Sequence, residues 1–256
     1  MIPERLVLLH GFTQSAAAMD DLASRINELA PGIETICADL AGHGSRTDEA
    51  LDLVSGADAL AERHGRAVWL GYSLGGRQAL HLAVHRPEMV DGLALLSTTA
   101  GIDNDDERAR RRDDDDRLAD RIEQIGLDAF LDEWLAGPLF SHLADTPEVT
   151  ASRRANTTAG LATSLRLAGT GAQESLWPRL STIDAPCLVV TGAHDTKFDA
   201  IGDRLTSSIP GAVRRRIDNA GHNQLLQHPP DTGRWHREQG SVRCPRHPRA
   251  PNATGP

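Results

Sequence analysis

The chain reads as an α/β protein, a mostly parallel, doubly wound sheet interrupted by a helical cap insertion. Three observations predict this. Short continuous apolar runs, as expected of strands buried on both faces, alternate with segments of helical spacing through the first hundred residues. The alternation stops after residue 101 and resumes near residue 187. Between one strand-like run and one helix-like run stands Gly71-Tyr72-Ser73-Leu74-Gly75, the G-x-S-x-G pattern that bends a strand sharply into a helix and lifts a serine hydroxyl above the sheet.

Residues 6–9 form the first apolar run, ending in His10-Gly11-Phe12. Residues 17–29 carry helical spacing at Met19, Leu22, Ile26 and Leu29, stopped by Pro31-Gly32. A second strand is expected over 33–40, opening into the glycine loop Asp39 to Gly44, and a second helix over 51–63. Residues 67–70 lead into the serine turn, and the following helical run is read from Arg77. Glycine is needed at Gly71 and Gly75 because a Cβ there would collide with the neighbouring strand or helix. Pro87 precedes another strand, 90–96. From Ile102 to about Trp177 only helical stretches are legible: 105–125, 127–135 and a segment around 153–167. Such an insertion after a strand end is expected to cover a site. Strands resume at 187–191 and 213–217. The organisation expected is therefore core (1–101), helical cap (102–178), core again (179–230) and an irregular tail (231–256). From Thr232 onward there is no Leu, Ile, Met or Phe, but five arginines and four prolines. That stretch can bury almost nothing. It reads either as a natural tail or as out-of-frame translation of arginine-rich coding.

The 256 residues, 39% of them hydrophobic, suffice for one large core. A net charge of −9 argues against a nucleic-acid or membrane-surface role, since both favour a basic face. An anionic ligand would have to be held by local arginines. No apolar run approaches a membrane span and no signal peptide is legible, so a cytoplasmic protein is expected. Three cysteines, two of them (Cys37 and Cys187) inside strand-like runs, imply neither a disulfide nor a metal framework. Lys197 is the one lysine in the chain.

A serine hydroxyl needs a histidine to take its proton and a carboxylate to orient that histidine. In chain order serine, acid, histidine, the candidates are Ser73, Asp195 in Gly192-Ala193-His194-Asp195 and His222 in Asn219-Ala220-Gly221-His222. His10, His43 and His194 sit in loops on the same face, the first two read as stabilising their glycine turns. An oxyanion site would use the backbone N–H groups of Leu74 and Phe12. Arg77, one helical turn after Ser73, should stand beside the hydroxyl. The charged run containing Glu107, Arg108, Arg110, Arg111, Arg112 and Asp113 to Asp116 reads as a solvated helix face, from which one arginine pointing inward would suffice.

Together, Leu9-His10-Gly11-Phe12, the turn from Gly71 to Arg77, Glu107-Arg108-Ala109-Arg110-Arg111, Trp134 with Pro138-Leu139-Phe140, Asp195-Thr196-Lys197-Phe198 and Ala220-Gly221-His222-Asn223 resemble the 2-succinyl-6-hydroxy-2,4-cyclohexadiene-1-carboxylate synthase family of menaquinone biosynthesis. The resemblance implies an α/β-hydrolase fold and a lyase without a cofactor that removes pyruvate from a polycarboxylate small molecule. It implies Ser73, activated by His222, as a base, and Arg77, Arg111 and Arg154 as substrate arginines, Arg153 being an equal contender for the last. Tyr72, Trp134 and Lys197 would line the pocket. The rival readings are a serine esterase or carbon-carbon hydrolase with the same triad, and a non-catalytic copy damaged at its terminus. The oligomeric state is not legible.

Overall fold

The computed structural model describes residues 4–137, 150 and 152–222. The tail expected over 231–256, and Pro138, Leu139, Phe140 and Asn223 of the motifs above, lie outside the described residues. The described strands are β1 (Arg5–Leu9), β2 (Glu34–Ala38), β3 (Ala67–Tyr72), β4 (Val90–Leu96), β5 (Cys187–Gly192) and β6 (Val213–Ile217). They form one sheet in the order β2-β1-β3-β4-β5-β6 with every pairing parallel. The chain moves outward from β1 to β2, then returns to place β3 on the other side of β1. That reversal opens a crevice at the carboxyl ends of β1 and β3, where ligands of such sheets bind.

Alternate residues along each strand feed two separate cores. Val7, Leu9, Trp69, Leu93, Leu95 and Val189 pack under α2 (Leu53–His64) and α3 (Leu74–His85), through Ala57, Leu60, Ala79, Leu80 and Ala83. Leu6, Leu8, Leu96 and Val190 face the other way, with Met19 and Ala23 of the segment leading into and through α1 (Asp20–Leu29). Trp69, the largest fully buried side chain, satisfies its indole by donating from Nε1 to Met89 O at 2.9 Å. At β6 the strand is half covered: Ile217 is buried and Val213 exposed.

The cap comprises α4 (Asp105–Ile125), α5 (Leu127–Leu135), a short 3₁₀ turn (Ser152–Ala155) and α6 (Thr158–Ala168). It has its own apolar core of Ala119, Ile122, Phe130, Leu131, Leu161 and Leu165. Phe12, from the loop after β1, packs on both this core and the sheet core. No described helix is long and apolar enough to cross a membrane, and the described residues contain no cluster of metal-binding side chains.

Three elements differ from expectation. Helix α3 starts at Leu74, not Arg77, because Gly75 and Gly76 hide helical spacing that close packing nevertheless imposes. The first helix begins as a 3₁₀ turn, Ala16–Met19, before becoming α-helical at Asp20. A helix not read from the sequence, α7 (Thr196–Ser208), follows β5. Its signals were the N-cap Asp195, whose side chain accepts from Phe198 N, and the spacing Phe198, Ile201, Leu205.

The glycines of the serine turn are required by contact. A Cβ on Gly71 would overlap the carbonyl of Gly75, and one on Gly75 would overlap the carbonyl of Leu9 in β1. Gly75→Ala is therefore expected to destabilise by about 1–3 kcal/mol through overpacking. Gly92→Ala, whose Cβ would meet nothing closer than 3.4 Å, should leave the melting temperature nearly unchanged. Thermal denaturation of the two variants checks the contrast.

Candidate active site

Register brings the site together before any side chain is considered. Leu9 lies opposite Gly71, and Gly192 opposite Ile217, so the loops carrying Phe12, Ser73, Asp195 and His222 all leave the same edge of the sheet. Ser73 occupies the turn with φ 51° and ψ −107°, a conformation an L-residue adopts only when its surroundings insist. Those surroundings are the N–H of Ser73 donating to Leu96 O at 2.9 Å, and its carbonyl accepting from Thr98 Oγ1 at 2.7 Å. The loops after β5 and β6 are joined by Ala193 N to Ile217 O and His194 N to Ala220 O, both 2.9 Å.

His222 Nε2 lies 3.4 Å from Ser73 Oγ, and its Nδ1 lies 2.6 Å from Asp195 Oδ2. Asp195 Oδ1 accepts from Phe198 N, so one carboxylate both caps α7 and orients the imidazole. The His222 ring sits between Phe198, 4.4 Å away, and Tyr72, 5.4 Å away, centroid to centroid. Both rings are tilted to the imidazole, at 53° and 52°, and His222 is buried.

A cavity of about 660 Å³ opens above Ser73. Phe12 and Leu74 line it, and among the described residues neither backbone N–H has an acceptor. Leu74 is the first residue of α3, where an N–H has no intrahelical partner. Arg77, Arg111 and Lys197 also line it, as do Trp134, Phe198 and His194. Arg77 is buried and makes no ion pair among the described residues. Its Nη1 donates to Ala168 O at 2.7 Å and to Gln173 Oε1 at 3.4 Å. Burial, with the nearby Arg111 guanidinium, pulls its pKa down to about 10, which leaves it charged at neutral pH. Arg111 is the arginine of the charged run that turns inward, its Nε donating to Asp115 Oδ1 at 2.8 Å. Trp134 packs edge-on against Phe12, 5.5 Å between centroids.

Two expected pocket residues stand elsewhere. Arg154 is exposed and paired with Asp128 at 2.9 Å, away from the cavity. Neighbouring residues on a tight turn point in different directions, and Arg153 takes the inward one, reaching Thr13 and Phe12 O instead of the cavity. Tyr72 lies beneath the site, not in its lining. Side chains of a strand alternate, and Tyr72 points into the core around α1, with its ring edge under Gly11. In the sequence Asp115 belongs to a run with the look of a solvated helix face. It is instead buried, accepting also from Gly171 N at 2.9 Å, and its i,i+4 spacing from Arg111 was the signal available.

His10 and His43 hold the loops, as their positions suggested. His10 Nδ1 donates to Gly11 O at 2.8 Å while Nε2 accepts from Leu40 N at 3.1 Å, an arrangement that requires the neutral ring. Burial pushes His10 down to about 4 and, with His10 beside it, His43 to about 3. His81, inside α3, is pushed to about 3, first by burial and then by His85.

The chain matches a family model described as the alpha/beta hydrolase family over residues 6–232. A 2-succinyl-6-hydroxy-2,4-cyclohexadiene-1-carboxylate synthase of Enterobacter sp. (strain 638) is 33% identical over 88% of this chain and 86% of its own. A Bacillus subtilis (strain 168) protein provisionally given the same name is 36% identical over the same shares. Among solved structures, MenH from S. aureus superposes with a TM-score of 0.83 at 28% identity, covering 90% of both chains. A malate-bound esterase from Thermogutta terrifontis, at 22% identity and a TM-score of 0.76 over 91% of this chain and 88% of its own, shares the fold.

The buried histidines make stability depend on pH. Their folded pKa values lie below the ordinary 6.5, so the unfolded chain binds protons that the folded one refuses. The stability they contribute is complete above about pH 6.5 and is lost as pH falls toward 4 and then 3. The melting temperature is expected to fall steadily from pH 6.5 to 4.5, and less steeply in His81→Leu. A flat profile measured by calorimetry would show that these rings reach water in the folded state.

Proposed function

The chain belongs to the alpha/beta hydrolase family and, within it, to the 2-succinyl-6-hydroxy-2,4-cyclohexadiene-1-carboxylate synthases; from that premise we propose that it eliminates pyruvate from 2-succinyl-5-enolpyruvyl-6-hydroxy-3-cyclohexene-1-carboxylate in menaquinone biosynthesis. The observation that carries this reading is a serine-histidine-aspartate array facing a cavity with three cations, Arg77, Arg111 and Lys197. The substrate has three carboxylates, on the ring, the succinyl arm and the enolpyruvyl group. Guanidinium groups bind carboxylates through paired donors, and buried Arg77, hydrogen-bonded only to neutral oxygens with Asp115 nearby but bonded to Arg111, is matched to an anion that arrives with the substrate.

The reaction follows from the difference between substrate and product. The ring hydrogen at C2 is acidic because it lies next to the succinyl ketone. Ser73 Oγ takes that proton while His222 Nε2 accepts the hydroxyl proton, and Asp195 steadies the imidazolium that forms. The C2 electrons become the C2=C3 bond, the C3=C4 pair moves to C4=C5, and the C5–O bond breaks. Enolpyruvate leaves and gains a proton on carbon to become pyruvate. As C2 loses its proton, negative charge collects on the ketone oxygen, where the N–H groups of Phe12 and Leu74 would stabilise it. No acyl-enzyme and no cofactor enter this sequence.

In this reading residues 102–178 cap a core made of 1–101 and 179–230, and the cap carries Arg111 and Trp134 to the substrate. The protein works in the cytoplasm on a small molecule, with no nucleic-acid or membrane partner.

Pyruvate release by the purified protein, followed with a coupled dehydrogenase, tests the reaction directly, and its absence would overturn the assignment. Ser73→Ala and His222→Ala should each abolish turnover, and the double variant should be hardly worse than either, because residues sharing one proton path act as a unit. Arg77→Ala should lower kcat/KM for the polycarboxylate by about 2–5 kcal/mol, as for stripping one member of a desolvated charge pair. A neutral aryl ester should be affected far less; equal losses on both would make Arg77 a structural residue.

A further inference from the structure

The loop that carries the Phe12 N–H is held in a conformation its own sequence disfavours. Gly11 O accepts from Gln14 N at 3.1 Å, closing a turn in which Thr13 has φ 68° while Phe12 stays outside the left-handed region. This is the pattern of a type II turn, whose third position ordinarily takes glycine or asparagine. A β-branched residue there is an outlier and is strained. Such a conformation persists only where the surroundings over-determine it.

Within the loop, Gly11 N donates to the buried Gln14 Oε1 at 2.9 Å; the remaining constraints come from the cap. Asn156 Nδ2 donates to Thr13 O at 2.7 Å and to Arg153 O at 2.9 Å, while its Oδ1 accepts from Gly44 N at 2.8 Å. Arg153 Nη1 donates to Thr13 Oγ1 and, at 3.4 Å, to Phe12 O. Ser15 Oγ donates to Ser152 O at 3.0 Å. Asn156 is 4% exposed and Arg153 1%. The amide of Asn156 is thus fixed by donors on one side and an acceptor on the other. An aspartate could not donate to either carbonyl, and a hydrophobic side chain would leave Thr13 O and Gly44 N without partners.

We propose that Asn156, assisted by Arg153, is a positioning residue for the oxyanion site: it holds Thr13 in the left-handed conformation and so aims the Phe12 N–H at the oxygen above Ser73. The cap then supplies part of the transition-state stabilisation as well as covering the substrate. This rests on Phe12 and Leu74 being the oxyanion donors of the proposed reaction.

An interaction realised only in the transition state changes kcat and leaves KM alone. Asn156→Ala should lower kcat for pyruvate release by about 10- to 100-fold, less than the loss of a whole oxyanion donor, with KM within about threefold. Adding Thr13→Gly should restore most of kcat, because glycine adopts φ 68° without strain. A general structural role would not be rescued in this way. The same variants are read with 2,2,2-trifluoroacetophenone by fluorine NMR. Ser73 Oγ adds to its carbonyl carbon, the hydroxyl proton passes to His222, and the carbonyl oxygen becomes the anion facing Phe12 and Leu74. The adduct should weaken about tenfold in Asn156→Ala and recover in the double variant, in line with the partial loss of an oxyanion donor. If Asn156→Ala melts below the assay temperature, Asn156→Asp, which keeps the acceptor for Gly44 N but loses the donor to Thr13 O, is read the same way. A change in KM alone, a loss of kcat that Thr13→Gly does not relieve in a folded protein, or no adduct with the unaltered protein would each overturn the proposal. An adduct with the expected pattern but no pyruvate release would instead overturn the reaction and leave the positioning role standing.

Discussion

The site depends on how closely the first turn of α3 approaches β1 and β3. That approach leaves no room for a side chain on Gly71 or Gly75, since a Cβ at either would overlap a backbone carbonyl. With the helix drawn in, Ser73 has only its strained backbone to occupy, and the unbonded N–H of Leu74 faces the same space as the hydroxyl. The strain is balanced by Leu96 O at the end of the neighbouring β4 and Thr98 Oγ1 of the loop that follows it. A strand that contributes no group to the proposed chemistry thereby keeps the serine in place.

Electrostatics at the site follow a comparable division of labour. Asp195 is committed to His222 and to the start of α7, and Asp115 to Arg111 and Gly171. Arg77 receives only a carbonyl and an amide oxygen. Neutral acceptors orient a guanidinium without cancelling its charge, so a buried cation remains in the cavity wall. A polycarboxylate meets there a group whose desolvation was completed when the protein folded. An apolar ester would gain nothing from it, and for that reason the arginine separates the lyase reading from an esterase more sharply than the serine array does.

The cap is joined to the core through specific contacts. Phe12 belongs to both apolar cores, and Trp134 stands on its ring. Arg153 and Asn156 reach from the cap to the carbonyls of the loop after β1. The position of the cap and the conformation of that loop are therefore a single problem for the chain, solved at one set of hydrogen bonds.

Much of this was written in the sequence. Buried parallel strands leave continuous apolar runs, the serine turn needs glycine at fixed offsets, and the order Ser73, Asp195, His222 along the chain matches the order in which strands deliver them to one edge. Backbone requirements of this kind are local, so they survive as local signals. Helix α7 is hard to see in the sequence because its apolar face is short and its cap, Asp195, also carries a catalytic signature. Other features could be decided only in three dimensions. Arg153 or Arg154 could have faced inward, and the direction of one tight turn chose Arg153. Tyr72, adjacent to the serine, has the position of a pocket residue, and strand alternation sends it beneath the site. Asp115 sat in an acidic run that looked solvated until Gly171 closed over it. In each case the residue type was legible and its direction was not, because direction is set by contacts between segments far apart in the chain, and those contacts leave no periodicity behind.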